Sequence, residues 1–397
     1  MLSALLLASA LAAPPALTGT EAQLYAWLRA AQSSSPDPYR SGAWPSTVHF
    51  PVLSFDERTA FISLGVLLSL EDVSRHAGLP GFDALAAAAG RQLAAFEADA
   101  RETSEPAGTL AWWPVVRASG GRKLRTHASW TAPFFHIPGD FDDSALAAAW
   151  YALRGQRKDF VEGFARTAGG FRDVERREQA PSDARWKELN SGAFLTWAEP
   201  ELVPGGRIFT AVNDVDCVVN LNVLAALGAH ERAGGRLPFP AWHGKQAACK
   251  LVGKAIAEEK TASCAMYYTR SSQFLYAYAR AADQPVDCLR SSSAAAAALA
   301  VREAAAALSR DARNPTEASE LIVALKKLFP PEKRTPQAAS AISGLTARLR
   351  ESISADGAGA RVASADSLCT TNFKGTILWW SSPAYGTALA LQALVDP

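Results

Sequence analysis

Two kinds of predicted helix alternate along the chain. The first kind is apolar around most of its circumference, and a helix of this composition must be buried on most sides. It covers residues 142–153, 215–227 and 384–394, and a fourth example begins near residue 59. The second kind carries charged residues at three- to four-residue spacing, which predicts one face in water. It covers residues 82–98, 241–259, 293–310 and 338–352.

This alternation predicts an all-α fold of two concentric layers, an α/α toroid, with the apolar helices inside and the amphipathic helices outside. Strand signals are weak, because short apolar runs such as 207–212 are too few to build a large sheet. No linker is evident, since the loops at 33–46, 117–139 and 171–191 contain Trp or Phe as well as Gly and Pro. We therefore expect residues 13–397 to form a single toroid domain.

A short glycine–aromatic motif precedes each apolar helix. Its glycines, each followed closely by Trp or Phe, are Gly42, Gly108, Gly192 and Gly375. A small hydroxyl or thiol residue stands at the matching place of each helix: Thr59, Ser144, Cys217 and Thr387. Recurrence of one local pattern indicates a repeat architecture, in which each unit buries its apolar face against its neighbours.

The N-terminus has the pattern of a targeting segment. Residues 2–12 form an uninterrupted apolar run that ends in Ala10-Leu11-Ala12, a small-x-small cleavage pattern. The run is too short to span a bilayer. We therefore predict a signal peptide at 1–12 and a secreted or periplasmic protein, the alternative being a buried N-terminal helix. No other stretch is long and apolar enough for a membrane span, so no stable span is expected.

Composition and charge narrow the function. With 49% hydrophobic and 20% charged residues, the chain has the composition of a globular protein. The formal net charge of +1 gives no reason to expect a nucleic-acid partner. No C-x-x-C or H-E-x-x-H spacing occurs, so we expect no metal site. Phosphate-binding and dinucleotide fingerprints are also missing from the sequence, which predicts no cofactor.

The five cysteines are compatible with an oxidising compartment, and their odd number leaves at least one thiol free within the monomer. Cys249 and Cys264 flank a predicted helix-to-helix turn, and we predict that they pair. Other pairings that include Cys217, Cys288 and Cys369 stay open, because connectivity cannot be deduced from sequence.

The candidate chemistry lies at the starts of two apolar helices. Asp140, Asp142 and Asp143 place three carboxyl groups within four residues, and such a cluster must repel, share a proton or hold a cation. Mutual repulsion and burial raise a carboxyl pKa, whereas a helix N-terminus lowers it. Asp142 or Asp143 also stands where an N-cap is expected. The alternative to a catalytic role is therefore helix capping with solvation.

A second polar wall is predicted at the start of the next apolar helix. Asn213, Asp214 and Asp216 precede it, and Asp216 shares a helical face with Asn220 at i, i+4 spacing, beside a stripe that contains Asn222. These side chains predict a cavity lined by carboxylates and carboxamides, which would meet the first cluster at one end of the central hole. The alternative is hydrogen bonding between helices that fixes their packing.

Aromatic side chains complete the candidate site. Tyr268, Trp379, Trp380 and Tyr385 lie in or beside the repeat segments. Their π faces suit either a cation or a sugar ring. We predict that these four residues bind substrate together with the amides and carboxylates of the second wall, the alternative being core packing.

The segment 140–145, Asp-Phe-Asp-Asp-Ser-Ala, resembles the D-x-D-D-T-A motif of class II terpene cyclases, the squalene-hopene cyclase group. The glycine–aromatic repeats look like the α/α toroid that these enzymes share with protein prenyltransferase β-subunits. Ser144 stands where the motif has Thr, and the repeats match the family's Q-x-x-x-G-x-W pattern only in fragments. The resemblance implies that Asp142 protonates an alkene or epoxide, with Asp140 and Asp143 as neighbours and aromatic rings stabilising carbocations.

The resemblance implies a small-molecule substrate, an isoprenoid or related lipid, and cyclisation started by an acid. Two alternatives stay open. A secreted glycan-active toroid hydrolase or lyase would set Asp142 or Asp143 opposite Asp214 or Asp216 as acid and base. A noncatalytic toroid would hold a lipid or peptide, and its acids would only cap helices. One fold serves many functions, so the site must decide between them.

Overall fold

A computed structural model describes the protein at residues 14–36, 40–49, 51–97, 107–111, 115–118, 121–124, 139–174, 191–198, 215–310, 314–362, 367–373 and 376–395. Within these ranges the chain is mostly helical, with a few small β-sheets. The predicted signal peptide at 1–12 and the apolar run at 207–212 lie outside the described residues.

In the described part of the chain, two sets of six helices alternate. The helices buried around most of their circumference are α2 (Ala60–Ser74), α4 (Phe141–Leu153), α6 (Cys217–Arg232), α9 (Ser271–Ala282), α11 (Pro315–Leu328) and α13 (Pro383–Val395). The helices with one face toward solvent are α1 (Gly19–Ala31), α3 (Phe82–Ala94), α5 (Lys158–Gly170), α7 (Phe239–Ala257), α10 (Ser293–Ser309) and α12 (Pro336–Glu351). A short helix, α8 (Thr261–Cys264), interrupts the alternation once.

The six buried helices contact one another in a closed circuit. Helix α2 contacts α4, α4 contacts α6, α6 contacts α9, α9 contacts α11, α11 contacts α13, and α13 returns to α2. Each solvent-facing helix packs against a member of this circuit: α1 on α13, α3 on α2, α5 on α4, α7 on α6, α10 on both α9 and α11, and α12 on α11. A buried helix therefore has apolar neighbours on most sides, which is why its sequence lacks a polar face.

The buried helices run in the same direction. In their N-terminal halves, Phe61 of α2 stacks on Tyr385 of α13, and the Ser272 hydroxyl of α9 donates a hydrogen bond to Glu320 of α11. At their last turns, the Lys327 ammonium of α11 pairs with Asp72 of α2 at 3.0 Å. The N-termini of these helices therefore lie at one end of the fold and the C-termini at the other.

Short antiparallel strands lead into several buried helices. One sheet has the order β10 (Cys369–Phe373), β11 (Thr376–Ser381), β1 (Ser46–His49), β2 (Ser54–Glu57). A second has the order β3 (Leu110–Ala111), β6 (Gly139–Asp140), β7 (Trp197–Ala198). Two hairpins pair β4 (Val115–Ala118) with β5 (Gly121–Leu124) and β8 (Ile353–Asp356) with β9 (Gly359–Val362). The all-α prediction holds for the helical majority and is wrong for these segments, whose strands are too short to show a clear alternation.

Two glycines of the repeated motif are required by close backbone contacts. Gly42 and Gly108 have φ angles of 82° and 77°, in the left-handed region that favours glycine. A Cβ at Gly42 would lie 2.3 Å from the Ala88 carbonyl oxygen of α3, and one at Gly108 would lie 2.1 Å from the Phe164 backbone nitrogen of α5. The motif thus lets the segment before a buried helix lie directly on an outer helix. Gly375 lies outside the described residues.

Two disulfides join Cys217 to Cys264 and Cys249 to Cys288. The predicted pairing of Cys249 with Cys264 is wrong. Cys264, at the end of α8, is bonded to Cys217, the first residue of α6, while Cys249 in the middle of α7 faces a 3₁₀ turn that contains Cys288. Cys369 is free and buried, which confirms that one thiol is left over.

Candidate functional site

The first turn of α4 contains three buried carboxyl groups. Asp140 is the N-cap of the helix, and its Oδ1 accepts a hydrogen bond of 2.7 Å from the backbone N–H of Asp142. The Asp140 backbone pairs with Leu110 in β3 and with Trp197 in β7, so a small sheet fixes the start of the helix. The cap is therefore Asp140 and not Asp142 or Asp143, which leaves the last two carboxyl groups available for other contacts.

Donors from two other segments hold Asp142. The Asn222 amide of α6 donates to its Oδ1 at 2.5 Å, and the Tyr268 hydroxyl, just before α9, donates to its Oδ2. Asn222 is held in turn by the Arg280 guanidinium of α9, which donates to the amide oxygen. Burial raises the pKa of Asp142, and the two hydrogen bonds and the Arg280 charge lower it without cancelling the rise.

Asp143 differs from its neighbour because, among the described residues, no side chain donates a hydrogen bond to it. It is fully buried, and within the described residues neither carboxyl oxygen accepts a hydrogen bond of good geometry. Burial raises the pKa of Asp143 well above its ordinary value, the charges of Asp140 and Asp142 raise it further, and the Phe61 backbone N–H lowers it only in part. Burial and the Asp142 charge also raise the pKa of Asp140, although backbone N–H groups oppose them. The cluster therefore binds protons far more tightly than ordinary aspartates do.

The second acidic helix start lies close to the first. Asp216 is the N-cap of α6; its Oδ1 accepts from the Val218 and Val219 backbone N–H groups at 2.6 and 3.1 Å, and its Oδ2 accepts from the Tyr267 N–H at 2.9 Å. Burial raises the pKa of Asp216 to about 6, the backbone donors oppose this rise, and the charge of Asp142 adds to it. The two acidic starts therefore meet inside the protein, where each affects the protonation of the other.

A cavity lies beside these acids, enclosed by the first turns of the buried helices and by α9. Its volume is about 20 Å³, enough for one or two water molecules. The lining residues are Phe61, Gly65, Leu146, Val218, Asn222, Tyr268, Gln273, Tyr276, Ala277, Arg280, Glu320, Leu368 and Tyr385. Asp142 itself is not in the lining; Tyr268 and Asn222, which bind it, stand between its carboxyl group and the cavity.

A second cavity of about 30 Å³ lies further toward the C-terminal ends of the buried helices. It shares Leu146, Asn222 and Arg280 with the first cavity, so these three side chains form the wall between the two. Its other side is charged, with Asp72 and Lys327 in the lining. Two small cavities, separated by a wall that includes the polar side chains of Asn222 and Arg280, therefore lie inside the helix circuit.

Some of the predicted substrate-binding residues line the cavity and others do not. Tyr268 and Tyr385 line the cavity. Asn220 points elsewhere: its side chain accepts from the Phe194 N–H and donates to the Phe194 and Asp216 carbonyl oxygens, so its contacts are those of a packing residue. The amide that lines the cavity is Asn222, from the neighbouring stripe of the same helix. Asn213 and Asp214 lie outside the described residues.

The two tryptophans of β11 face a sheet and not the cavity. Trp379 stacks on His49 of β1 with ring centroids 3.7 Å apart, and the buried Trp380 indole donates to Glu57 of β2 at 2.6 Å. His49 is also within hydrogen-bond distance of Ser381, at 2.8 Å. These contacts tie the strands before α2 and α13 together, which is a packing role.

Several cavity residues were missed in the sequence. Arg280 is one, although a lone Arg in the otherwise apolar stretch 274–282 is a detectable signal. Glu320 is another; it is buried, accepts from the Ser272 hydroxyl at 2.6 Å and from Arg270 at 3.3 Å, and burial raises its pKa. Gln273, which donates to the Leu368 carbonyl oxygen, carries no such signal.

Neither a metal-binding group nor a membrane span is found in the described ranges. No set of three His, Cys, Asp or Glu side chains there is arranged to hold a metal ion. No helix there has the length and hydropathy needed to cross a bilayer.

Comparison with known proteins gives a fold relationship alone. No model of a known protein family matches the chain, and no characterised protein matches its sequence. Among solved structures, the chain is similar to a protein from Actinoplanes, with a TM-score of 0.52 and 14% sequence identity, over 94% of this chain and 97% of that one. At this identity the likeness indicates a shared fold along nearly the whole chain and carries no information about activity.

Proposed function

We propose that the protein is an acid-initiated enzyme built on an α/α toroid, similar to class II terpene cyclases, and that it cyclises an isoprenoid or related lipid. One observation carries the proposal: Asp142, buried and with a raised pKa, is bound by a tyrosine hydroxyl that also lines the central cavity. A carboxyl group with a raised pKa, next to a sheltered cavity, suits the protonation of a weak base such as an alkene.

The toroid assignment is supported by the helix contacts. Six buried helices in a closed circuit, each covered by an amphipathic helix, have the arrangement of a double ring. The alternation of the two kinds along the chain, interrupted once by α8, is what such a ring requires, because each outer helix returns the chain to the same end. The N-terminal apolar run and the two disulfides support export from the cytoplasm.

The proposed first step uses the residues that contact Asp142. In the reacting state Asp142 is protonated and donates to the Tyr268 oxygen, which reverses the hydrogen bond between them and leaves the Tyr268 hydroxyl free to face the substrate. The Asp142 carboxyl group then gives its proton to the Tyr268 oxygen as the Tyr268 hydroxyl gives its own proton to one alkene carbon. The π electron pair of the alkene forms the new C–H bond, the other alkene carbon becomes a cation, and Asp142 is left as a carboxylate. Asn222, with Arg280 behind it, then stabilises that carboxylate by a charge-assisted hydrogen bond.

The cation would form among aromatic rings. Phe61, Tyr276 and Tyr385 line the cavity, and the π face of an aromatic ring attracts a positive charge within about 6 Å. Tyr276 already interacts in this way with Arg280, whose guanidinium carbon lies 4.8 Å from the ring centroid. Loss of a proton from the cyclised cation to water ends the reaction, and Asp142 regains its proton from solvent.

Substrate binding requires the cavity to widen. At about 20 Å³ the cavity holds water but no isoprenoid. Tyr385 is the side chain whose movement would open it most directly, because one edge of its ring lies against Gly65 and would come within 2.2 Å of a Cβ there. A glycosidase would instead need an open groove between two carboxyl groups, and the buried cluster does not provide one, so the glycan-active alternative is less well supported at this site.

Incubation of the purified protein in D₂O with linear isoprenoids tests the proposal. The panel would contain free and diphosphorylated chains of several lengths. We expect a cyclic isomer that carries one carbon-bound deuterium per molecule, because the proton added to the alkene comes from an exchangeable carboxyl group. Mass spectrometry would detect it.

Variants of Asp142 and Tyr268 test in the same experiment whether these two residues transfer the proton. Asp142→Asn should abolish conversion, and Tyr268→Phe should reduce it strongly while leaving the fold intact. Asp159→Asn, which removes an exposed carboxylate on α5, is the matched control and should behave like the wild type. Failure of the wild type to convert any substrate in the panel, or full activity in Asp142→Asn, would exclude this mechanism.

A further inference from the structure

A surface groove far larger than the central cavities lies against α7. Its volume is about 640 Å³, within the range of about 300 to 1,000 Å³ that is usual for small-molecule sites. The last residues of α6, one face of α7 and the 3₁₀ turn at Asp287–Ser292 form its walls. The Cys249–Cys288 disulfide joins two of these walls, so the groove is held open without a ligand.

One aromatic side chain, Trp242, is part of the groove lining, and two neighbouring rings of α7 lie beside it but outside the lining. Trp242 is 45% exposed, although a tryptophan is usually buried in a monomer. Phe239, one turn earlier on α7, is 73% exposed; the two rings are nearly parallel, with an interplanar angle of 14°. The edge of His243 meets both rings. A flat aromatic face is therefore presented to solvent next to a groove.

The charged side chains of the groove cancel one another. Two acids, Glu231 and Asp287, face two bases, Arg232 and Lys245. The Lys245 ammonium is 2.5 Å from Glu231, the Arg232 guanidinium donates to a backbone carbonyl oxygen, and Asp287 pairs with Arg290 at 2.8 Å. The formal charges of the four lining residues sum to zero, and with Arg290 beside Asp287 the net charge is only +1, too little to select strongly for an anion or a cation. The remaining polar lining consists of the amide side chains Gln246 and Gln284.

We propose that this groove binds a neutral saccharide. A pyranose ring has an apolar C–H face, which would stack on Trp242, and a rim of hydroxyl groups. Those hydroxyl groups would bond to planar amides, which donate and accept, and to carboxylates, which accept. A peptide is a poorer fit, because it would be recognised by an apolar groove or by pairing with a strand edge, and helices and a helical turn form these walls. This site is separate from the acids and does not depend on the proposed reaction.

Saturation-transfer NMR and calorimetry with neutral oligosaccharides test the proposal. The probes are soluble malto-, cello-, xylo- and chito-oligosaccharides, with oligogalacturonate as the charged comparison. We expect at least one neutral probe to bind the wild type. Trp242→Ala should weaken it about tenfold or more. Phe239→Ala, which removes an exposed ring on the same helix but outside the groove lining, should change the affinity less than about twofold.

Gln246→Ala supplies a second variant that does not alter the aromatic surface, and it should also weaken binding because Gln246 is exposed in the groove. Thermal unfolding would verify that all variants fold. The proposal is overturned if no neutral probe binds at millimolar concentration, if only oligogalacturonate binds, or if Trp242→Ala and Gln246→Ala both retain the wild-type affinity.

Discussion

Replacing Asp216 with Asn should reduce the pH dependence of stability by a predictable amount. Asp216 is fully buried, and its pKa of about 6 exceeds the ordinary 3.8 by about 2.2. At about 1.36 kcal/mol for each pKa difference of one, the neutral acid is favoured in the folded state by about 3 kcal/mol over the carboxylate. Asn cannot ionise, so the variant removes this contribution to the pH profile.

Whether Asp216 makes stability rise or fall with pH depends on which state of the protein, folded or unfolded, binds more protons. Because the folded-state pKa is raised, the folded protein binds more protons than the unfolded chain between about pH 4 and pH 6, and the free energy of unfolding falls as pH rises through that window. Asp216 therefore makes the wild type about 2 kcal/mol less stable at pH 7 than at pH 4. The other aspartates with raised pKa values add to this fall in both proteins, and most of that common part cancels when the two profiles are subtracted. What remains is the interaction of Asp216 with Asp140 and Asp142, which is a minor influence on the pKa of Asp140 and one of the smaller influences on that of Asp216.

The change in the free energy of unfolding between two pH values is a cleaner measure of Asp216 titration than the free energy at one pH. Asn keeps the N-cap hydrogen bonds of α6, because its amide oxygen can accept them, but its NH₂ group cannot accept the Tyr267 N–H. That loss of about 1 to 3 kcal/mol roughly offsets the gain from removing the carboxylate at neutral pH. The loss does not change with pH, so the slope isolates the titration of Asp216.

Guanidinium unfolding followed by far-UV circular dichroism, at about pH 4 and about pH 7, gives the required values. Between these pH values the free energy of unfolding of Asp216→Asn should fall by about 2 kcal/mol less than that of the wild type. Asp159→Asn is the control: a hydrogen bond from Arg157 lowers the pKa of Asp159, so its contribution lies at pH values below this window. Equal slopes for Asp216→Asn and the wild type would show that Asp216 does not titrate as its burial implies.

Three further substitutions test contacts elsewhere. Cys264→Ser breaks the bridge to Cys217 and should lower the free energy of unfolding by about 2 to 4 kcal/mol, an effect that should vanish when both proteins are reduced. Gly65→Ala drives a Cβ into the Tyr385 ring and should cost about 1 to 3 kcal/mol; calorimetry showing no change would mean that the ring moves freely. Thr59→Ala removes the side-chain cap of α2 and should lower stability by about 1 kcal/mol in chemical unfolding, whereas Thr59→Ser should not.

Burial patterns explain which helices could be found from the sequence. Helices α4, α6 and α13 are apolar on every side because they lie inside the circuit, and this left a clear signal. Helices α9 and α11 occupy equivalent positions but were not identified as inner helices. They bury polar side chains, among them Gln273 and Glu320, whose partners lie on other elements. A polar residue buried with a distant partner looks like a surface residue in a sequence, so their inner faces resembled solvent-facing ones.

The acids could be located from the sequence, but their partners could not. Three carboxyl groups before an apolar helix are visible as a motif. Asn222 and Tyr268 lie 80 and 126 residues from Asp142 along the chain, and only the folded circuit brings them to it. The disulfide pairing failed for a similar reason, since Cys249 and Cys264 are neighbours in sequence but lie against different elements.

The position of the acids at the helix N-termini determines which of them can act. The N-terminal partial charge of a helix stabilises a carboxylate, and burial destabilises it, so neither effect alone identifies the acid that gives up a proton. The three aspartates of the first cluster differ in the hydrogen bonds that their side chains accept. Asp140 uses its side chain as a cap, and Asp143 has no satisfactory donor among the described residues. Only Asp142 has two side-chain donors, which stabilise the carboxylate that remains after proton transfer, and one of them lines the cavity. Asp142 is therefore the acid whose loss of a proton costs least at the place where a substrate would lie.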